Sequence, residues 1–533
     1  MSQFRISATW VLPLALATLL IPIAWIAYKV LHATHGTWAY ALDDTFIHMA
    51  IAKNLAFHGV WGTSPHEFAS AASSLLYPVL LAVVFKITGA NLITAFILNL
   101  AAAILLIIAV RKWLLQQGVG AIGQLAILVS LIILVPLPVL VFIGMEHTIQ
   151  ILFCFLFIYS FANERDALSW RTYLYGALMM ACRYECATLL VVACGILVAQ
   201  KKISTAVVLG LTGVIPILVF GFYSIYHNSY FIPNSVFLKS KAPSLTPEGL
   251  YAFFTNDLYE RLFFTDDSYK AYNVLAPQRL LLLLPLIWLL CRKAIQREAM
   301  YKNILLLLLV ATITHLGLAV VAKSPRFEAY LTGCSLVIIA TLLAKYGREV
   351  WGGIEQNVRW LTLLLSFLLV FPFVLRAWKA FGEVKQSCIN IYEQQYQMGM
   401  FFHAYYNDTP TALNDIGAVS YLTNAKNLDL VGLSNVEVAR ARKRGYWGPE
   451  FLDSLARRQG VKVAAIYEDW FPYQLTAKWK KVTSWVIQNN VICANSMVTF
   501  YAVDSTEKNT LRSNLAAFKK KLPPTVSVYF YAD

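Results

Sequence analysis

Uncharged apolar runs, many close to the ~20 residues needed to cross a bilayer as a helix, recur from Trp10 to Leu375, broken by short basic links. A backbone lying in hydrocarbon must satisfy its own polar groups, so such runs can only be helices packed into a bundle. Charged residues make up 14% of the 533-residue chain, where a soluble protein carries about a quarter. That deficit excludes a large soluble core. The net charge of +15 is spread over the links and forms no Arg-rich arm, which argues against nucleic acid as a partner.

Roughly eleven spans are expected by apolar length. They lie near Trp10–Leu31, Leu92–Val110, Ala121–Phe142, Ile149–Phe161, Tyr173–Met180, Ala187–Val198, Ala206–Tyr226, Leu280–Leu290, Ile304–Val321, Leu331–Leu343 and Trp360–Leu375. The stretch Ser73–Gly89 is apolar but short and reads as a juxtamembrane or re-entrant helix in the first outer loop. The first run is too long for a signal-peptide core and reads as a retained span. Arg111-Lys112, Arg165, Arg171, Lys201-Lys202, Arg292-Lys293, Arg297, Lys302, Lys345, Arg348 and Arg359 mark one set of links as cytoplasmic. The alternate links then share the outer face, with the N-terminus inside and the tail outside. The chain divides on this reading into a membrane part, 1–378, and an extracytoplasmic α/β domain, 379–533. In the tail, Val461–Tyr467, Val498–Val503, Val526–Tyr531 and Leu428–Leu433 read as strands, and Val436–Arg444 and Glu450–Gln459 as helices. Cys388 and Cys493 would meet an oxidising space, where a disulfide and two free thiols are the alternatives.

Nearly every chemically interesting residue falls on the outer face. Asp43 and Asp44 leave the first span together, and charge at a membrane edge is costly enough to be kept for chemistry. Capping the helix expected over Thr45–Ala56 accounts for one acid better than for two. A carboxylate here can take the proton of an attacking hydroxyl. Asp44 and His48 share a helix face at i, i+4, which points to Asp44 as the tethered acid and Asp43 as the freer one. Glu146 and His147 either end a helix in water or meet sugar hydroxyls. Arg183 and Glu185 either neutralise each other or leave Arg183 to hold a phosphate. Lys239 and Arg326 are cations on the face that disfavours them, explained by an anionic lipid phosphate or by snorkelling at the interface, with Tyr330 close by in sequence. A divalent cation could sit on the acid pair, but no metal site is assigned, since His48, His58 and His66 lack ligand spacing. P-loop, dinucleotide and nucleophile-elbow motifs are absent.

These fragments, in this order and on one face, resemble the GT-C superfamily of integral membrane glycosyltransferases. They comprise Asp43-Asp44-Thr45-Phe46-Ile47, Ala52 to Gly62, Ser73-Ser74-Leu75-Leu76-Tyr77-Pro78, Gly144-Met145-Glu146-His147, Arg183-Tyr184-Glu185, Pro233-Asn234-Ser235 to Lys239, Arg326-Phe327-Glu328 and Asn414-Asp415-Ile416-Gly417-Ala418. The branch they are most similar to contains the mycobacterial terminal arabinofuranosyltransferase. The resemblance implies an all-α polytopic fold with a C-terminal soluble α/β domain, set in a bacterial inner membrane, with a polyprenyl-phosphate sugar donor and a cell-envelope glycan or glycolipid acceptor. It further implies inversion at the anomeric carbon with Asp43 or Asp44 as base, and Arg183, Lys239 and Arg326 around the phosphate. A lipid-linked-sugar transporter or flippase is the alternative, but the chain shows no repeat of the kind alternating access leaves.

Overall fold

A computed structural model describes residues 7–163, 167–239, 246–263, 276–319 and 324–532. It is a helical membrane-type bundle joined to a small C-terminal α/β part. Among the described residues seven helices are long and apolar enough to cross a membrane: Val11–Ala33, Thr94–Gln116, Ala121–Ile143, Ile203–Tyr226, Ala299–Leu318, Ala329–Gly352 and Gln356–Tyr406. Shorter apolar helices, Leu76–Thr88, His147–Ala162, Tyr184–Ala199 and Ala276–Leu290, fill the spaces between them. The expected short helix after Ser73 is therefore Leu76–Thr88, and the expected helix behind the acid pair runs Asp44–His58.

The last span carries its own ruler. Trp360 and Trp378 are 80% and 81% exposed, with exposed Leu361, Leu364, Phe367 and Phe371 between them. Eighteen residues of helix span about 27 Å, close to the ~30 Å hydrocarbon thickness that interfacial tryptophans bracket. The helix does not stop there. It runs unbroken through 378–379 to Tyr406 as 51 residues, with one π-helical segment at Tyr392–Tyr396. Its far end enters the core of the α/β part, where Phe401 meets Phe500 at 5.5 Å and Trp485 at 5.9 Å, and Trp485 stacks on Phe518 at 5.8 Å. Such aromatic pairs contribute about 0.5–1.5 kcal/mol each beyond the area they bury. The spanning helix and the sheet thus share one core.

The sheet has six strands: β1 (Thr411–Leu413), β2 (Leu428–Asp429), β3 (Val463–Ile466), β4 (Lys480–Val486), β5 (Met497–Ala502) and β6 (Ser527–Phe530), in the order β2-β1-β3-β5-β4-β6. β1 pairs parallel with β2 and β3, and the remaining pairs are antiparallel. The strand expected over Leu428–Leu433 is only two residues long. The Asp429 carboxylate takes the N–H groups of Val431, Gly432 and Ser434 and turns the chain. β4 escaped the sequence reading because Lys480-Lys481 and Thr483-Ser484 hide its apolar alternation. Cys388 and Cys493 are free thiols, not a disulfide. Cys388 is buried in the long helix, while the Cys493 thiol donates to Gln395 Oε1 at 3.4 Å.

The α/β part is bolted to the loop that begins at Asp43. Gly417 and Ala418 donate their backbone N–H groups to the two Asp43 carboxylate oxygens at 2.7 and 2.8 Å. Further along, Lys53 Nζ donates to the carbonyls of Tyr421 (2.6 Å) and Thr423 (3.3 Å), His66 meets the Asn424 carbonyl, and Lys426 pairs with Glu67 at 2.5 Å. Only glycine fits at the bolt. A Cβ on residue 417 would lie 2.2 Å from the Asp43 carbonyl oxygen and 2.6 Å from its carboxylate. Replacing Gly417 by Ala should therefore destabilise the protein by about 2–4 kcal/mol, read as a lowered Tm in detergent and easier proteolysis after residue 379. An unchanged Tm would show that the two parts do not depend on this contact.

Candidate active site

Three breaks in helical structure bring the polar residues to one end of the bundle. Pro136 interrupts the Ala121–Ile143 segment, and Gly144 ends it in a left-handed conformation (φ +71°), where a Cβ would strike the Tyr40 ring at 2.4 Å. The turn delivers Met145 and Glu146. Arg183 is extended (φ −158°, ψ 141°) and breaks the Trp170–Cys182 helix from the turn that follows. Leu75 N–H donates to the Ala181 carbonyl, drawing Ser73 up to this break.

Arg183 sits between two carboxylates. It donates to Glu146 Oε1 at 2.7 Å and to Glu185 through Nη2 (2.7 Å) and Nε (3.1 Å). Glu146 is fully buried and also accepts from Ser73 Oγ at 3.0 Å, with His48 Nε2 3.6 Å away. Burial alone would raise the Glu146 pKa, but His48 and Arg183 outweigh it and hold it down at about 2. Burial in turn pushes His48 below its ordinary value. The neutralising Arg–Glu reading of Arg183 is the arrangement found. His48 turns to Ser73 (3.3 Å) and Glu146.

The two adjacent acids part company. Asp43 is buried, with both oxygens on the Gly417 and Ala418 N–H groups. Burial and the nearby Asp415 carboxylate push its pKa up against those donors. Asp415 itself accepts from Tyr467 (2.8 Å) and Gln395 (2.9 Å). Asp44, about a third exposed, pairs with Arg326 Nη2 at 3.0 Å. The expectation that Asp43 is the freer acid is thus reversed. Among the described residues no group of three or more His, Cys, Asp or Glu could hold a metal ion.

Asp44 and Arg326 open onto a cavity of about 270 Å³. Arg183, Tyr184, Glu185, Ser73, Ser235 and His315 add polar groups to its wall, while Met145, Val236, Leu318 and Phe327 make much of the rest apolar. Arg326 is 8% exposed; it also faces Met145 Sδ, and among the described residues its Nε has no partner. Of the residues expected at a site, Asp44, Arg183, Glu185 and Arg326 line this cavity. Glu146, His147 and Tyr330 stand behind the wall: His147 faces Gln150, and the Tyr330 hydroxyl meets His315 Nδ1 at 3.1 Å. Lys239 ends the Asn234–Lys239 helix, and its side chain lies outside the described residues, as does Lys323. Ser73, Tyr184 and Ser235, which stand in the quoted fragments without an assigned role, join the wall, and so does His315, which the sequence did not single out. His315 is a lone histidine near the end of an apolar helix, a pattern that also fits an ordinary core residue.

Comparisons with known proteins bear on the fold. The chain superimposes on crystal structures of ArnT from Cupriavidus metallidurans, one bound to undecaprenyl phosphate (TM-score 0.51, 11% identity) and one in the apo state (TM-score 0.50, 10% identity). Each match covers 91% of this chain and 98% of that one. Residues 389–501 match DUF8728, a domain of unknown function. No curated protein sequence matches the chain.

Glu146 is the keystone of the polar cluster, and Glu146→Gln should cost about 1.5–3 kcal/mol by removing the charged acceptor shared by Arg183 and Ser73, while Glu185 keeps Arg183 paired. Because its folded pKa lies below the ordinary carboxylate value, its contribution is complete above about pH 4.5 and is lost as the pH falls towards 2. The stability gap between wild type and Glu146→Gln should close over that window. A gap independent of pH would refute the assignment.

Proposed function

We propose that the protein is a membrane glycosyltransferase that moves a sugar from a polyprenyl-phosphate donor to a glycan or glycolipid acceptor. The observation that carries this reading is the Asp44–Arg326 pair at the edge of a largely apolar cavity, with the Arg326 Nε unsatisfied. A guanidinium with a spare buried donor suits a phosphate oxygen. An apolar wall suits an isoprenoid chain, and the likeness to an ArnT structure bound to undecaprenyl phosphate supports the same class of ligand.

Asp44 is the base on this reading, and Asp43 holds the loop that presents it. The acceptor hydroxyl attacks the anomeric carbon as its proton passes to Asp44. The bond from that carbon to the phosphate oxygen breaks, the electron pair leaves with the polyprenyl phosphate, and the configuration inverts. Arg326 offsets the charge gathering on the leaving phosphate in a site where low dielectric strengthens the interaction. A phosphate drawing on Arg326 would also loosen its hold on Asp44, coupling donor binding to the appearance of the base. Arg183, already neutralised by Glu146 and Glu185, shapes the wall. An inner-membrane location, with the N-terminus cytoplasmic and residues 379–533 outside, accords with the basic links. The similarity to the terminal arabinofuranosyltransferase branch favours an arabinofuranosyl donor, to be tried beside mannosyl and aminoarabinosyl donors.

With purified protein and synthetic polyprenyl-phosphate sugars, Asp44→Asn should lower the kcat of the folded fraction by at least about a hundredfold, beyond any loss of Tm from leaving the buried Arg326 without its carboxylate. Asp43→Asn should lower Tm more than it lowers the rate of the folded fraction. Full activity in Asp44→Asn would sink the base assignment. Arg326→Ala should raise the donor KM by roughly tenfold or more, a loss of about 1.4 kcal/mol, and leave the acceptor KM alone; the opposite pattern would place the phosphate elsewhere.

A further inference from the structure

A second polar pocket, of about 100 Å³, lies between the 67–70 loop, the Asn234–Lys239 helix and the α/β part. Three of its polar side chains find no partner among the described residues. Asn234 is 1% exposed, yet among the described residues neither its side-chain amide nitrogen nor its amide oxygen has a partner, and the buried hydroxyls of Ser70 and Ser229 have none either. Orphaned buried polar atoms cost about 1–3 kcal/mol each when nothing answers them. Three side chains in one pocket point to something that does.

The chemistry of the pocket narrows what that is. Glu67 and Lys426 on its rim neutralise each other at 2.5 Å, and Glu437 is paired with Arg458, so it offers no net charge to an ion. Phe68 and His227, stacked 4.7 Å apart, supply a flat apolar wall. An amide with two donors and an acceptor oxygen, flanked by two hydroxyls that both give and take, matches a ring of neighbouring hydroxyl groups.

The pocket also adjoins the candidate active site. Asn234 lines one cavity and Ser235, the next residue, lines the other; Ser70 and Ser73 do the same from the loop. Three residues span at most about 11 Å. We infer that this pocket binds a neutral sugar unit of the acceptor next to the one that reacts, so that the acceptor is an oligosaccharide. The inference rests on the glycosyltransferase reading for its purpose but not for its binding chemistry.

The test is saturation-transfer NMR on the full chain in nanodiscs, with arabinofuranosyl, mannosyl and glucosyl tetrasaccharides and the matching monosaccharides as probes. At least one tetrasaccharide should bind, roughly tenfold tighter than its monosaccharide. Ser70→Ala and Ser229→Ala should each weaken it roughly five- to tenfold, and Asn234→Leu should abolish binding. The serine variants should keep or raise Tm in the absence of sugar, because removing an unanswered hydroxyl costs the fold nothing. Failure of all three tetrasaccharides to bind would overturn the proposal. So would equal binding in wild type and variants, or a fall in Tm in the serine variants, which would mark groups served only by ordered water. Release of polyprenyl phosphate from the donor is measured in parallel. Sugar binding that needs Asn234 without donor turnover would sink the transferase and keep the pocket, whereas turnover with Asn234-independent binding would do the reverse.

Discussion

Two hydrogen bonds between the Asp43 carboxylate and the Gly417 and Ala418 N–H groups hold the architecture in register. A carboxylate taken out of water must be answered by donors, and here they come from a segment about 374 positions away in the chain. The absence of a side chain at Gly417 permits the approach. The bond fixes the direction in which the loop leaves the first span, and hence where Asp44, one residue on, meets Arg326. Lys53, His66 and Glu67 repeat the attachment along the same loop. The second polar pocket exists only because this seam is closed.

Behind the cavity the same physics recurs with side-chain partners. Glu146, Arg183 and Glu185 form a line of alternating charge at the end of the bundle, closed by Ser73 and the weakly basic His48. Glu328 and Arg376 form another buried pair nearby. Pairs of this kind gain little over an apolar core of equal volume, but removing one member is severe, so they specify geometry more than they stabilise it. A cavity whose walls are set this way can keep Arg326 Nε unsatisfied without collapsing onto it.

Much of the bundle was legible from apolar length alone. The helices at Val11–Ala33 and Ile203–Tyr226 follow the expected runs closely, because hydrocarbon leaves the backbone no other structure. The tail helix Val436–Arg444 was read to the residue, its start set by the Asn435 cap and its end by Gly445. β4 and the brevity of β2 were not legible, since strand length depends on which neighbour supplies the ladder and where Asp429 turns the chain. The continuous helix through residue 379 was hidden too: a composition shift from apolar to polar marks where the helix leaves the lipid, not where it ends.

Sequence by itself determined that this chain forms a polytopic bundle, and it singled out the scarce acids, because uncompensated charge at a membrane edge is costly. It also set Asp43 and Asp44 side by side without distinguishing them. Only the tertiary structure separated their tasks. Which carboxylate is buried and which faces the cavity depends on donors contributed by Gly417, Ala418 and Arg326, and no local pattern around residue 43 encodes where those donors will lie.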